Sequence, residues 1–230
     1  MQSQSLHIED FFGNVGVFGL LFHKDKPLWN SLDSIKAFLS GMQLDARGNF
    51  ISSSAWLHPT ASVEHSFIGE GTRVYEFVTI RESIIGAYTT IGHCTEVARS
   101  VVMSKCSVPR FNYVGSSILG NNVRLGGCCS LASRRFDDSN VVIVGLGESL
   151  ETNRFKFGSI VGDNCLLGFS VHCNPGTLIG MNSIVMPHVE LRGIIPANSI
   201  VSVQQRVVIS RKRDVSNVGL HNLDRPKGDK

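Results

Sequence analysis

The sequence predicts an all-β solenoid, a parallel β-helix of hexapeptide repeats, and three observations carry that prediction. Aliphatic side chains stand at Leu57, Val63, Ile68, Val74, Ile80, Ile85, Ile91, Val97, Val102, Val108, Val114, Leu119, Leu125 and Leu131, in steps of five or six whose triplets span 17 residues. Glycine follows many of them at the same period, at Gly69, Gly86, Gly92, Gly115, Gly120 and Gly126. After an interruption the pattern resumes at Val161, Leu167, Cys173, Ile179, Val185 and Leu191 in even steps of six. A helical stripe needs steps of three and four and a plain strand steps of two, so neither fits. Each six reads as a short strand plus a bend. Three sixes close one triangular coil with the aliphatics inside, and coils hydrogen-bond to one another about 4.8 Å apart.

The elements follow in order. Residues 1–50 form an N-terminal segment in which PLWNSLDSIKAFLSG, 27 to 41, places Leu28, Leu32, Ile35 and Leu39 on one helical stripe. Pro27 marks its start and Gly41 its stop, and the helix is expected to cover one end of the prism. The glycines of GNVGVFG, 13 to 19, lack the strand-to-helix context and the basic residue of a phosphate loop and read as ordinary loop or strand. Residues 51–201 form the solenoid, broken by an excursion at 134–159 that is too long and too irregular to be another coil. Such excursions are usually functional. Its Val141–Val144 run is expected to pair with the segment near Phe155–Phe157, and the whole to reach toward a neighbouring subunit. Residues 202–230 form a basic tail, expected to close the other end; from Arg206 to Lys230 seven basic residues face three acidic ones.

The bulk numbers narrow the function. A chain of 230 residues, 42% hydrophobic and 18% charged, buries an ordinary core. A net charge of +3 is too small to argue for nucleic acid. The six cysteines form no CxxC pair, and no two histidines stand at a short ligand spacing such as HxxxH, so no metal is expected. The start MQSQSLHIEDFF lacks a signal-peptide pattern, and no run approaches 18 apolar residues. A cytoplasmic protein with reduced thiols and no membrane partner is expected.

Two stretches carry a resemblance. EVARSVVMSKCSVPRFNYVGSSILGNNVRLGG, from Glu96, and ETNRFKFGSIVGDNCLLGFSVHCNPGTLIG, from Glu151, are similar to the acetyltransferase half of the bifunctional N-acetylglucosamine-1-phosphate uridylyltransferases/glucosamine-1-phosphate acetyltransferases and to archaeal sugar-1-phosphate nucleotidyltransferases. The similarity covers residues 57 to 200. It implies a left-handed coil, a homotrimer with active sites between subunits, and acetyl-CoA as cosubstrate. The function it implies is an acyltransferase acting on a sugar phosphate or amino sugar, without a nucleotidyltransferase domain. The alternative is a catalytically degenerate trimeric subunit for binding or assembly around sugar phosphates or nucleotide sugars.

The resemblance also implies site residues. Arg81, Glu96, Tyr113 and Lys156 match family positions, the first, second and third as substrate contacts and Lys156 as a catalytic group. Four positions depart: Arg110 stands where the family has its histidine base, Ala98 where it has a lysine, and Arg124 and Ser133 where it has asparagines. Arg124 is still expected beside the substrate, and Gly127, Phe169 and Pro187 at the CoA slot, narrowed by the two bulkier residues. The 17-residue period adds a reading of its own. Glu76, His93, Arg110 and Gly127 stack in one column, and Thr79, Glu96, Tyr113 and Ser130 in another. A guanidinium cannot serve as a base near neutral pH, so the proton would pass to His93, one rung below Arg110. The same three charged residues also read as a plain surface ladder of alternating charge. His172, three residues past Phe169, is a further candidate.

Overall fold

The computed structural model describes residues 6–145 and 147–210. Within them the chain winds into three parallel sheets of eight, eight and seven strands, and a two-stranded antiparallel hairpin stands apart. The first strand is Phe50–Ile51 and the last Ile200–Val201. This is the solenoid the repeat predicts, and it matches the left-handed β-helix class. The register is 17 residues per coil through Phe67↔Ile84, Ile84↔Val101 and Val101↔Ile118. It becomes 18 at Ile160↔Leu178 and contracts to 16 at Leu178↔Ile194. The contraction follows Gly193, whose φ of 81° makes a turn tighter than the six-step period anticipates.

Every aliphatic of the repeat points inward. From Val63 to Leu191 they form one buried core, with Leu57 partly buried against it. The corners are held by their own hydrogen bonds. The hydroxyls of Ser66, Ser83, Ser100 and Ser117 each accept the backbone N–H of Ser83, Ser100, Ser117 and Ser159 one coil on, at 2.9–3.1 Å. These bonds satisfy buried turn donors that the short strands leave over. At another corner the amides of Asn122, Asn164, Asn182 and Asn198 hydrogen-bond in series, each residue at φ between 56° and 59°. Asparagine tolerates that left-handed conformation better than most residues. Asn182→Ala should therefore lower stability by about 1 kcal/mol, read from chemical denaturation.

The N-terminal segment departs from expectation in place and form. The 27–41 stretch is a 3-10 helix, Leu28–Ser34, running into one short α-helix, Ile35–Ser40. It lies along the flank of the first sheet and does not cover an end. The reason is the outward position of that sheet, which is apolar at every coil: Phe67, Ile84, Val101, Ile118, Ile160 and Leu178. Both faces of the sheet are therefore hydrophobic, and the outer one needs a cover. Phe11, Phe18, Leu21, Trp29, Ile35 and Leu39 supply it, forming a second core. GNVGVFG belongs to this cover: Gly16–Leu21 is a 3-10 helix whose Phe18 ring rests where a Cβ on Gly86 would stand.

Asp163 fastens the cover. Its buried carboxylate accepts the N–H of Gly13 at 3.0 Å and of Asn121 at 2.6 Å, and its own N–H donates to the Phe11 carbonyl at 2.7 Å. Asp163→Ala strands two donors, so a loss of about 2–3 kcal/mol is expected. Hydrogen exchange should show the loss concentrated in residues 8–22.

The excursion also differs from expectation. Val142–Gly145 pairs with Glu148–Glu151, not with the segment near Phe155–Phe157. Phe157 turns inward instead, fully buried with its ring centroid 5.9 Å from Trp29. Val141 and Ile143 pack into the second core, so the hairpin folds onto its own solenoid. Residues 136–140 are exposed, with Phe136 fully so. Most of the basic tail expected to close one end lies outside the described residues, and 202–210 run exposed without regular structure. No helix among the described residues is long and apolar enough to cross a membrane.

Candidate active site

The third sheet carries polar residues outward, and its register gives one column: Thr79, Glu96, Tyr113, Ser130, His172 and Glu190. At the corner before each strand a second column rises through Glu76, His93, Arg110, Gly127, Phe169 and Pro187. The carbonyl of each of the first five accepts an N–H from the coil above, donated by Cys94, Phe111, Cys128, Ser170 and His188 at 2.9–3.2 Å. The two columns expected from the 17-residue period are therefore present, extended by two coils.

His93 is the most constrained of these side chains. Its ring lies between Phe77 and Phe111, centroids 5.7 and 5.6 Å away, both edge-on. Its Nδ1 stands 3.8 Å from a Glu76 carboxylate oxygen and its Nε2 3.2 Å from the Cys94 sulfur. Beside it opens a shallow depression of about 400 Å³, lined by Cys94, Glu96, Phe111, Tyr113, Cys128 and Ser130. Glu96 is held by an ion pair with Arg81. The Tyr113 ring lies along its strand toward the far corner. A Cβ on Gly115 would stand 2.5 Å from the phenol oxygen, so only glycine leaves room for it. Three coils above His93, the Phe169 ring approaches the place of a Gly127 Cβ, one coil below it, at 3.5 Å and is half exposed, with Pro187 next in the column.

A larger cleft of about 1100 Å³ lies at the opposite corner, between the N-terminal segment and the excursion. Lys36, Glu82, Arg99, Ser116, Arg154 and Lys156 line it. Arg154 pairs with Asp33 at 2.8 Å and Arg99 with Glu82 at 3.9 Å, while the buried Nε of each arginine has no hydrogen-bond partner.

The expected site residues thus divide. His93, Arg110, Gly127, Phe169 and Pro187 share one corner, and Glu96, Tyr113 and the paired Arg81 share the adjoining face. Lys156 is not among them within one chain. It lines the opposite cleft, and the strand between Arg110 and Ser116 spans roughly 15–20 Å. Arg124 is also elsewhere. It lies in the second sheet, in register with Ser107 and Leu166, because a shift of one hexapeptide moves a residue to the next face. Ala98 is buried, and the carbonyl of the buried Ser133 accepts the Phe157 N–H at the excursion's base, at 2.9 Å. The sequence reading passed over Phe77, Cys94 and Phe111, although they recur at the same 17-residue spacing. Among the described residues no group of three or more His, Cys, Asp or Glu is placed to hold a metal ion.

The triangular solenoid and its hexapeptide period define a hexapeptide-repeat protein of the acetyltransferase-like class. More narrowly, the chain belongs to the family described as the GMPPB C-terminal domain, whose model matches residues 83–209. The GlmU-like C-terminal hexapeptide family matches residues 40–119. A bifunctional protein GlmU of Methanococcus maripaludis is 34% identical over 123 residues, covering 54% of this chain and 30% of that protein. A bifunctional sugar-1-phosphate nucleotidylyltransferase/acetyltransferase of Sulfurisphaera tokodaii is 32% identical over 97 residues, covering 42% and 24%. The matched segment therefore spans less than a third of either relative. Among solved structures, a variant of AntD, an N-acyltransferase from Bacillus cereus in complex with dTDP-4-amino-4,6-dideoxyglucose and coenzyme A, is 17% identical, with a TM-score of 0.38 over 71% of this chain and 84% of that one.

Proposed function

We propose that this chain is an acyltransferase that moves an acetyl group from acetyl-CoA to the amine of a phosphorylated amino sugar, as a homotrimer in the cytoplasm. One observation carries the reading: a fixed imidazole, a free-standing guanidinium and a glycine–phenylalanine slot share one corner column. Acetyl-CoA supplies the activated acyl carbonyl. The half-exposed Phe169 face above Gly127 fits the apolar arm of such a donor, and the groups below it fit an anionic acceptor. His93 takes the proton that the attacking amine must lose. Arg110 offers a planar fork of donors to the sugar phosphate. Lys156 enters this site only from a second copy, which is the reason to expect a trimer. The bifunctional acetyltransferase relatives, and six thiols free of disulfides, support the reading.

Thermal shift tests it. A ligand at 100 times its Kd stabilises by about 2.7 kcal/mol, so acetyl-CoA and glucosamine-1-phosphate should each raise Tm by several degrees. Light scattering should give three times the 25.1 kDa of one chain. Arg110 and the buried Ala98, where relatives of the expected kind carry a base and a lysine, favour a second reading as a nucleotide-sugar-binding subunit. Stabilisation by sugar phosphates or nucleotide sugars, with none by acetyl-CoA, would establish that reading instead.

A further inference from the structure

Four of the six thiols are sealed in the solenoid. Burial pushes Cys106 and Cys173 up to about 12 and Cys165 up to about 11, and it raises Cys129 as well. Such thiols are inert toward electrophiles. Cys94 is exposed, on the corner that holds His93. Its sulfur lies 3.2 Å from Nε2 of that ring, whose other nitrogen faces Glu76 at 3.8 Å. A thiol, an imidazole within proton-transfer reach and a carboxylate behind it form the arrangement that activates a cysteine nucleophile. The imidazole is fixed rather than swinging, because Phe77 and Phe111 grip both sides of it. Cys94 shares the left-handed corner backbone, φ 54°, with Phe77, Phe111 and Cys128 on neighbouring coils. It opens on the depression that Glu96 and Tyr113 line.

We propose that Cys94 is a catalytic nucleophile that carries the acyl group between donor and acceptor. The inference rests on the acyl-transfer reading above and gives it a two-step course. In the first step His93 Nε2 accepts the Cys94 thiol proton and the sulfur attacks the acyl carbonyl of the donor thioester. The carbon–sulfur bond to CoA breaks, and the departing CoA thiolate takes the proton from His93. In the second step the acceptor amine attacks the Cys94 thioester and the bond to Cys94 breaks. The amine proton returns through His93 to the Cys94 sulfur. One thioester exchanges for another of similar energy, then for an amide, and no oxidant or reductant is consumed. This course accounts for a site without a histidine at position 110, since the base serves the thiol one coil lower. Glu76 from the coil below, Arg110 from the coil above, and Glu96 and Cys128 beside the depression complete the ionisable surroundings.

The test incubates the full-length protein with acetyl-CoA and no acceptor. A burst of about one CoA per chain is expected, with a mass gain of one acetyl group mapping to Cys94 and removed by neutral hydroxylamine. Cys94→Ser, close in size, should abolish both burst and adduct, and His93→Phe should slow acylation by roughly 10²–10⁴-fold. Independently of the donor, iodoacetamide should label Cys94 before the other five cysteines, and more slowly in His93→Phe. If acetyl-CoA binds and Cys94→Ser transfers acetyl groups to an amine at the wild-type rate, the nucleophile role is overturned while the acyltransferase reading stands. If acetyl-CoA neither shifts Tm nor releases CoA, both fall.

Discussion

Phe157→Ala is expected to destabilise the protein by about 3–5 kcal/mol, the largest effect of any single substitution in the excursion. The residue is fully buried where three parts of the chain meet: the N-terminal cover through Trp29, the excursion's return, and the first sheet. Its N–H closes the base of the excursion on the Ser133 carbonyl, and the next N–H, from Gly158, reaches the Ser116 carbonyl, both at 2.9 Å. Removing the ring opens a cavity that the rigid solenoid cannot collapse into. The excursion and residues 27–41 should then exchange amide hydrogens together, ahead of global unfolding. Phe155→Ala two residues away is the control. That ring is half exposed, with Arg134 5.0 Å from its centroid, and its loss should cost less than about 1 kcal/mol. Equal losses for the two variants in urea titrations would show that Phe157 is no such seal.

The same junction shows what the sequence could and could not tell. The inward aliphatics were legible because each coil repeats one demand, a side chain that fills the prism axis, and repetition over many coils makes such a demand visible. The cover on the first sheet was equally periodic. Phe67, Ile84, Val101 and Ile118 precede the inward aliphatic at every coil, where the second sheet has Arg73, Thr90, Ser107 and Arg124. Reading one residue of each six concealed that second stripe, and with it the flank position of the helix. The hairpin partner was not legible at all. Glu148–Glu151 has little strand character, and it pairs with Val142–Gly145 through adjacency in the chain. At the site, the period placed His93 beneath Arg110 and Glu96 beneath Tyr113. Arg124 stands apart from the third sheet because its expected role came from the resemblance, while the period itself puts it one hexapeptide away. Cys94 escaped notice although the 17-residue period puts it in line with Phe77 and Phe111, because that spacing does not say which corner residue meets the preceding side chain. What singles it out is the 3.2 Å approach of its sulfur to the preceding ring.

Replacing His93 should lower acetyl transfer by roughly 10²–10⁴-fold, the usual worth of a positioned base. The choice of substitute decides what the loss means. His93→Ala removes the proton acceptor and also leaves a gap between Phe77 and Phe111, so a collapsed stack would slow the reaction for reasons unrelated to proton transfer. His93→Phe keeps three rings in series at that corner and removes only the nitrogens. If the chemistry is as described, both variants lose kcat with little change in the KM for the sugar phosphate, whose proposed contact is Arg110. If His93→Phe retains wild-type kcat, the ring is a structural spacer and the base lies elsewhere. Restoring the pattern of the relatives separates two further effects. Arg110→His in the His93→Phe background offers a base one coil higher and should recover part of the rate at the expense of phosphate affinity. Ala98→Lys should not help here. Ala98 is 1% exposed beneath its neighbours, so a lysine there must displace packed atoms or bury its charge, a loss of at least about 1–3 kcal/mol by overpacking alone. The surface such a lysine would occupy is closed.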